Sequence, residues 1–148
     1  MTRTLAASVA LLLWLFLPAG VMAAEGGPAG VGPAERSAIR AVIESQMAAF
    51  GRDDGEAAFS YASPSIRARF GSADNFMEMV RGGYPAVYRP RAVDFQELIT
   101  SEGTLLQLVR VVGPDGVPMI AAYEMERQPD GSWRINGCAL LGLAERTT

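Results

Sequence analysis

Apolar residues recur at helical spacing along residues 35–50. Ile39, Val42, Ile43, Met47 and Phe50 share one stripe, which predicts a first helix there. Gln46 falls inside that stripe. A polar amide on a core-facing stripe loses about 1–3 kcal/mol if unpaired, so it either bonds a neighbouring backbone or lines a cavity. Gly51 suits the position just past the helix end. Asp53 and Glu56 have capping-box spacing and open a second helix through Ala57, Ala58, Phe59, Tyr61 and Ala62. Ser63-Pro64 has the N-cap and first-turn chemistry of a third, short helix, with Ile66 and Phe70 on one side. Ser72 caps a fourth through Phe76, Met79 and Val80, which stops at Gly82-Gly83.

From Tyr84 the period changes. Pro85 and Pro90 exclude an inner strand, and residues 84–91 read as an extended crossing segment. Four strands are expected near 91–100, 104–112, 117–127 and 132–143. Glu102-Gly103, Pro114-Asp115-Gly116 and Pro129-Asp130-Gly131 supply the turns between them. Short turns force antiparallel neighbours, hence a meander. Strand parity puts Val117, Met119, Ala121, Tyr123 and Met125 on the helix side, with Trp133, Ile135, Gly137, Ala139, Leu141 and Leu143 of the last strand. The opposite face then carries Ile120, Ala122, Cys138 and Leu140 beside Glu124, Glu126, Arg134 and Asn136. A half-apolar outer face implies a cover, either a second copy of the chain or the leader. A β-bulge would flip part of this assignment.

The N-terminus has a different grammar. Arg3 precedes an uncharged apolar run from Leu5 to Leu17, Pro18 and Gly20 break it, and Val21-Met22-Ala23 offers a small-x-small cleavage pattern. Residues 1–23 are expected to be a signal peptide cut between Ala23 and Ala24, and the protein to be exported to the periplasm or beyond. The stretch before Pro18 is too short to span a bilayer, so stable membrane insertion after cleavage is not expected. The only cysteine, Cys138, is not at the cut site, which excludes a lipoprotein anchor; a lone Arg3 argues against a twin-arginine route. Residues 24–34, rich in Gly, Ala and Pro, read as a flexible leader. Residues 35–145 form one domain, long enough to fold without staples.

Composition narrows the chemistry. All 13 basic residues are arginine, 16 residues are acidic and there is no histidine. A basic nucleic-acid footprint is absent, and nucleic acid is not an expected partner. Without histidine there is no Ser-His or Cys-His nucleophile and no imidazole metal site; without lysine there is no Schiff base and no Walker-type phosphate grip. No metal ligand set, no cofactor and no catalytic residue are assigned. One cysteine cannot make an internal disulfide; with no His or Lys, and only an Arg, to lower its pKa, Cys138 is expected to be an inert, buried small side chain, the alternatives being an intermolecular disulfide or a reactive thiol.

Helices first and a meander after give an α+β arrangement that resembles the NTF2-like (cystatin-like) superfamily, in which helices pack into the concave side of a curved sheet. A closer likeness lies in particular runs. Gln46-Met47-Ala48-Ala49-Phe50, Asp53-Asp54 and Ala62-Ser63-Pro64-Ser65-Ile66 are the first. Phe76-Met77-Glu78-Met79-Val80 and Tyr84-Pro85-Ala86-Val87-Tyr88-Arg89-Pro90 follow. Asp130-Gly131-Ser132-Trp133-Arg134-Ile135-Asn136-Gly137-Cys138 completes the set. Together they are similar to the DUF4864 family, a bacterial family of unknown function whose members often carry an export signal. The resemblance covers roughly residues 36–143 and implies a fold but no activity.

In such a roll, residues 84–91 can reach the pocket mouth. Tyr84 and Tyr88 are candidate donors to a ligand oxygen, Arg91 or Arg89 a candidate clamp for a carboxylate, and Gln46 and Tyr123 candidate lining residues. The expected function is a non-catalytic module of the periplasm that binds a small molecule or an envelope protein. The alternatives are an isomerase-like enzyme moving a proton on an apolar substrate, with Asp54 or Asp94 as conceivable base, or an envelope assembly factor.

Overall fold

The computed structural model describes residues 27–143. Expectations for the signal peptide, the Ala23/Ala24 cut, the first part of the leader and residues 144–145 lie outside them. The order is α1 (Pro33–Gly51), α2 (Gly55–Ser60), α3 (Pro64–Phe70), α4 (Ala73–Gly83), α5 (Pro85–Tyr88), β1 (Ala92–Ser101), β2 (Thr104–Val112), β3 (Pro118–Arg127) and β4 (Trp133–Gly142). The strands form one open antiparallel sheet in the order β1-β2-β3-β4. The molecule is therefore α+β, helices followed by a four-stranded meander.

The helices pack on the sheet through the stripe read from the sequence. Ile39, Ile43, Met47 and Phe50 of α1 are buried, as are Val109, Val111, Ala121, Tyr123 and Met125 of the central strands. Phe76 of α4 ties the short helices to α1: its ring centroid lies 6.1 Å from that of Phe50, 5.3 Å from Phe59 and 5.7 Å from Phe70. Burial of such rings dominates core energetics.

Local chemistry explains most boundaries. The Ser63 side chain accepts from the Ile66 N–H and that of Ser72 from the Asn75 N–H, so both predicted caps are in place. The β1–β2 hairpin turns on Glu102 and Gly103, both with positive φ (50° and 79°), the backbone of a two-residue type I′ loop. Asp115 and Asp130 shape the next two turns by accepting from the N–H two residues on, at 2.9 Å each.

Four sequence expectations are corrected. α1 begins at Pro33 and continues through Gly51, with the Glu35 carboxylate accepting from the Gly32 N–H at 3.2 Å; the leader therefore ends two residues earlier than its pattern implied, and Gly51 is not a left-handed cap. Asp54, not Asp53, caps α2 by accepting from the Ala57 N–H at 3.1 Å. Asp53 instead adopts a left-handed backbone (φ 54°), and its carboxylate faces Arg89. Residues 85–88 are helical rather than extended, because Pro85 at the first position presets the helical φ and lacks only an N–H the helix does not use.

The fourth correction concerns β4. Its register with β3 shifts between Glu124 and Met125: Met125 pairs with Ile135 and Glu124 with Gly137, so Asn136 is the extra residue of a bulge. Beyond the bulge the parity reverses. Cys138 pairs with Tyr123 and Leu140 with Ala121, which turns both toward the helices, not outward. Ala139 pairs with Ala122 and Leu141 with Ile120, so Ala139 and Leu141 face away. Ile120 and Ala122 keep their expected outer positions. A second bulge lies in β1 between Phe95 and Leu98, and buried Gln107 fills it. The Gln107 amide donates to the Gln96 carbonyl at 3.0 Å and the Leu108 carbonyl at 3.0 Å.

Candidate functional site

Along β3 and β4, beside the short helices, runs a cavity of about 750 Å³ that touches both faces of this half of the sheet. Its apolar wall comes from the short helices: Ile66 and Phe70 of α3, and Phe76, Met79 and Val80 of α4. Gln46 and Phe50 close it from α1, and Tyr123 and Cys138 from the sheet. Leu106, Ala122, Glu124, Ala139 and Leu141 border it from the outer face of the sheet, and Asn136 and Gly137 at the bulge.

The bulge positions the polar border. Tyr61–Ser63 runs beside β4: the Ser63 N–H donates to the Ile135 carbonyl at 2.8 Å and the Ile135 N–H to the Tyr61 carbonyl at 2.9 Å. The extra residue, Asn136, is thereby held next to α3. Its Oδ1 accepts from the Ser63 hydroxyl at 2.7 Å and the Ser65 hydroxyl at 3.0 Å. Its Nδ2 donates to Glu124 Oε1 at 2.7 Å. Three side chains, Ser63, Ser65 and Asn136, thus fix the Glu124 carboxylate at the cavity.

Of the pocket candidates, the structure brings together Gln46, Tyr84 and Tyr123. Gln46 answers both readings of its position. Its amide donates to the Ala58 carbonyl at 3.1 Å, and it borders the cavity. Tyr84 is half-buried on the wall. Tyr123 is buried beneath the helices, and its hydroxyl has no hydrogen-bond partner among the described residues. Desolvation holds its pKa well above the ordinary 10.0, with the neighbouring Cys138 thiol adding to the shift. Burial likewise pushes Cys138 from 9.0 up to about 12, so its thiol stays protonated and inert at neutral pH.

Tyr88, Arg89 and Arg91 do not border the cavity. The Tyr88 hydroxyl donates to Asp53 and accepts from Arg81 Nε at 3.3 Å. Arg89 stacks over the Tyr88 ring at 4.0 Å, pairs with Asp53 at 2.9 Å and donates to the Phe50 carbonyl. The cluster clasps the end of α1 to α4 and α5, and the Tyr88 hydroxyl, then Arg89 and Arg81, lowers the Asp53 pKa below 3.8. Arg91 is exposed beside the β2–β3 turn, near Gly116.

Three polar residues of the cavity escaped sequence reasoning: Arg69, Glu124 and Asn136. Signals for two of them existed. Arg69 falls at i+3 from Ile66, on the α3 face that carries Phe70 at i+4. Asn136-Gly137 inside a strand pattern is a bulge signal. Glu124 had none, because its role depends on Asn136.

Among the described residues, no group of three or more Cys, Asp and Glu side chains could hold a metal ion. No helix among them is long and apolar enough to cross a membrane. Comparison with curated proteins and with solved structures found no match. A family model described as "Domain of unknown function (DUF4864)" matches residues 33–148, which include every helix and strand described above. That span is well over half of the sequence, and the chain belongs to the DUF4864 family.

Proposed function

We propose that this domain is a non-catalytic binding module that holds a small, largely apolar molecule in the cavity beside its short helices and strands β3 and β4. The cavity carries the reading. Its volume of about 750 Å³ falls within the roughly 300–1,000 Å³ of small-molecule sites, and aromatic and aliphatic side chains dominate its wall. The placement of reactive groups supports holding over transforming. Glu124 and Tyr123 are consecutive in β3 and so point to opposite faces, which keeps a carboxylate base and a phenol donor from converging on one substrate atom. The Cys138 thiol, raised to about 12, is no nucleophile at neutral pH. Helix-first order and the meander support an NTF2-like roll as the scaffold.

An environment-sensitive apolar fluorophore titrated into the purified protein tests the reading. Saturable one-to-one binding is expected, and Met79→Trp, which fills the cavity from a half-buried wall position, should abolish it with little change in melting temperature. Absence of saturable binding overturns the proposal.

The module is proposed to work in the periplasm. Arg3, the uncharged run to Leu17 and Val21-Met22-Ala23 support export with cleavage before Ala24. N-terminal sequencing of the exported protein should begin at Ala24, and an intact Met1 in a membrane fraction would refute export. A second reading, pairing of two copies through the outer sheet face, keeps one observation in its favour. After the bulge correction that face still carries Leu108 and Ile120, together with Leu106 and the 51% exposed Leu141, which also border the cavity. Sedimentation at micromolar concentration decides it, a monomer ruling it out.

A further inference from the structure

We infer that the molecule held in this cavity is an anionic single-chain amphiphile, its apolar tail against the α3–α4 wall and its carboxylate on Arg69. The inference rests on the binding reading above and adds the class of ligand.

The charge pattern of the cavity carries it. Among the described residues, only two charged ones border the space, Arg69 and Glu124. Glu124 is engaged: Asn136 donates to its Oε1 at 2.7 Å, and Asn136 is itself held by Ser63 and Ser65. Arg69 is not engaged. The ion pairs of the described residues use Arg40, Arg52, Arg81, Arg89 and Arg127, and none uses Arg69. Nor does Arg69 pair with Glu124 across the cavity. Arg67, two residues away on the same helix, lies over the Phe59 ring at 5.5 Å and does not border the space. The cavity therefore offers one exposed guanidinium without an acidic partner among the described residues, at the edge of a wall made of Ile66, Phe70, Phe76, Met79 and Val80.

A planar guanidinium takes a carboxylate by two parallel hydrogen bonds. A wall of that composition takes methylene groups, each worth about fourfold in affinity when fully buried. A neutral apolar molecule would leave Arg69 unused. A cationic one would meet Arg69 as a like charge.

Calorimetric titration of the full-length mature protein with octanoate, decanoate, dodecanoate and the matching alcohols tests this. Each two-carbon step should tighten binding up to about fifteenfold until the cavity is filled. Each carboxylate should bind about tenfold more tightly than its alcohol, as expected for one charge-assisted pair at a partly exposed site. Arg69→Gln should erase that preference and leave alcohol binding unchanged, and its exposed position should keep the melting temperature near wild type. Equal binding of acid and alcohol, or a preference that survives Arg69→Gln, overturns the head-group assignment while cavity binding stands. Tighter binding of the matching alkylamine would also overturn it. Failure of every chain, charged and neutral, to bind overturns the binding reading itself.

Discussion

Replacing Tyr123 by Phe should make this protein more stable. The ring sits on β3 between Gln107 of β2 and Cys138 of β4, under the helices, and only 1% of the residue is exposed. Its hydroxyl has no partner among the described residues, and the Gln107 amide donors beside it are committed to main-chain carbonyls. A buried polar group without a hydrogen bond costs about 1–3 kcal/mol. Phe keeps the ring and removes that cost. The void left by one oxygen, at about 24 cal/mol per Å³, returns a few tenths of a kcal/mol. The expected net gain is about 1 kcal/mol, or roughly 4 °C in melting temperature for a domain of this size. Urea denaturation at neutral pH, with an unchanged m-value, is the assay. A loss of about 1 kcal/mol or more would refute the reasoning, because it would mean the hydroxyl is hydrogen-bonded in solution. Alkaline pH gives an independent reading. Burial raises the folded pKa of Tyr123 above 10.0, so the native state keeps a proton that the unfolded chain releases. That stabilisation is fully present below pH 10.0 and is lost as pH rises above it. Cys138 adds the same sign of effect between pH 9.0 and about 12. Tyr123→Phe should flatten the decline above pH 10.0 and leave the cysteine part.

Three further outcomes follow from the same packing. Trp133→Ala should cost about 3–5 kcal/mol, since this largely buried ring opens the inward face of β4, and a chemical denaturation loss under about half a kcal/mol would contradict that placement. Leu140→Glu should destabilise the fold severely, because the bulge turns Leu140 toward the helices, whereas Leu141→Glu, at a position 51% exposed, should stay within about half a kcal/mol of wild type. Paired thermal melts of the two variants read the register directly, and the reverse order would refute the bulge. Asp53 should titrate below 3.8, so its stabilising contribution is present above that pH and fades as pH falls through the lowered value. Carbon NMR of the Asp53 carboxyl checks the direction, and Tyr88→Phe, which removes the largest cause, should move it back up.

The candidate site also explains a division of labour among the titratable groups. The most heavily desolvated ones, Tyr123 and Cys138, are held in their neutral forms, as a wall for an apolar ligand requires. The charged residues of the cavity are confined to its border on α3 and along the β4 bulge. The Asp53–Tyr88–Arg89 clasp lies elsewhere and has a different role: it fixes the end of α1 against α4 and α5, the elements that carry Phe50, Val80 and Tyr84 into the wall.

What the sequence determined by itself was local. The Ile39–Ile43–Met47–Phe50 stripe, the Ser63 and Ser72 caps and the Gly103 hairpin turn follow from the spacing of neighbours a few residues apart, and all are present in the fold. Because its turns are short, the meander order followed as well. The tertiary structure decided what depends on distant partners. Tyr88 was legible as an aromatic near a pocket, yet Asp53, 35 residues earlier, takes its hydroxyl. Gln46 was legible as a misfit on a core stripe, while its acceptor on Ala58 was not. One extra residue at Asn136 moved Cys138 and Leu140 from the outer face to the inner, and moved Ala139 and Leu141 the other way. Strand parity has a period of two, so every assignment downstream of a bulge inverts, and a bulge forms only where some partner rewards it. Here the partners are Ser63, Ser65 and Glu124, brought to Asn136 from α3 and β3. The same packing set the α3 face of Ile66, Arg69 and Phe70 against Phe76, Met79 and Val80 of α4, a juxtaposition that the spacing within α3 does not encode.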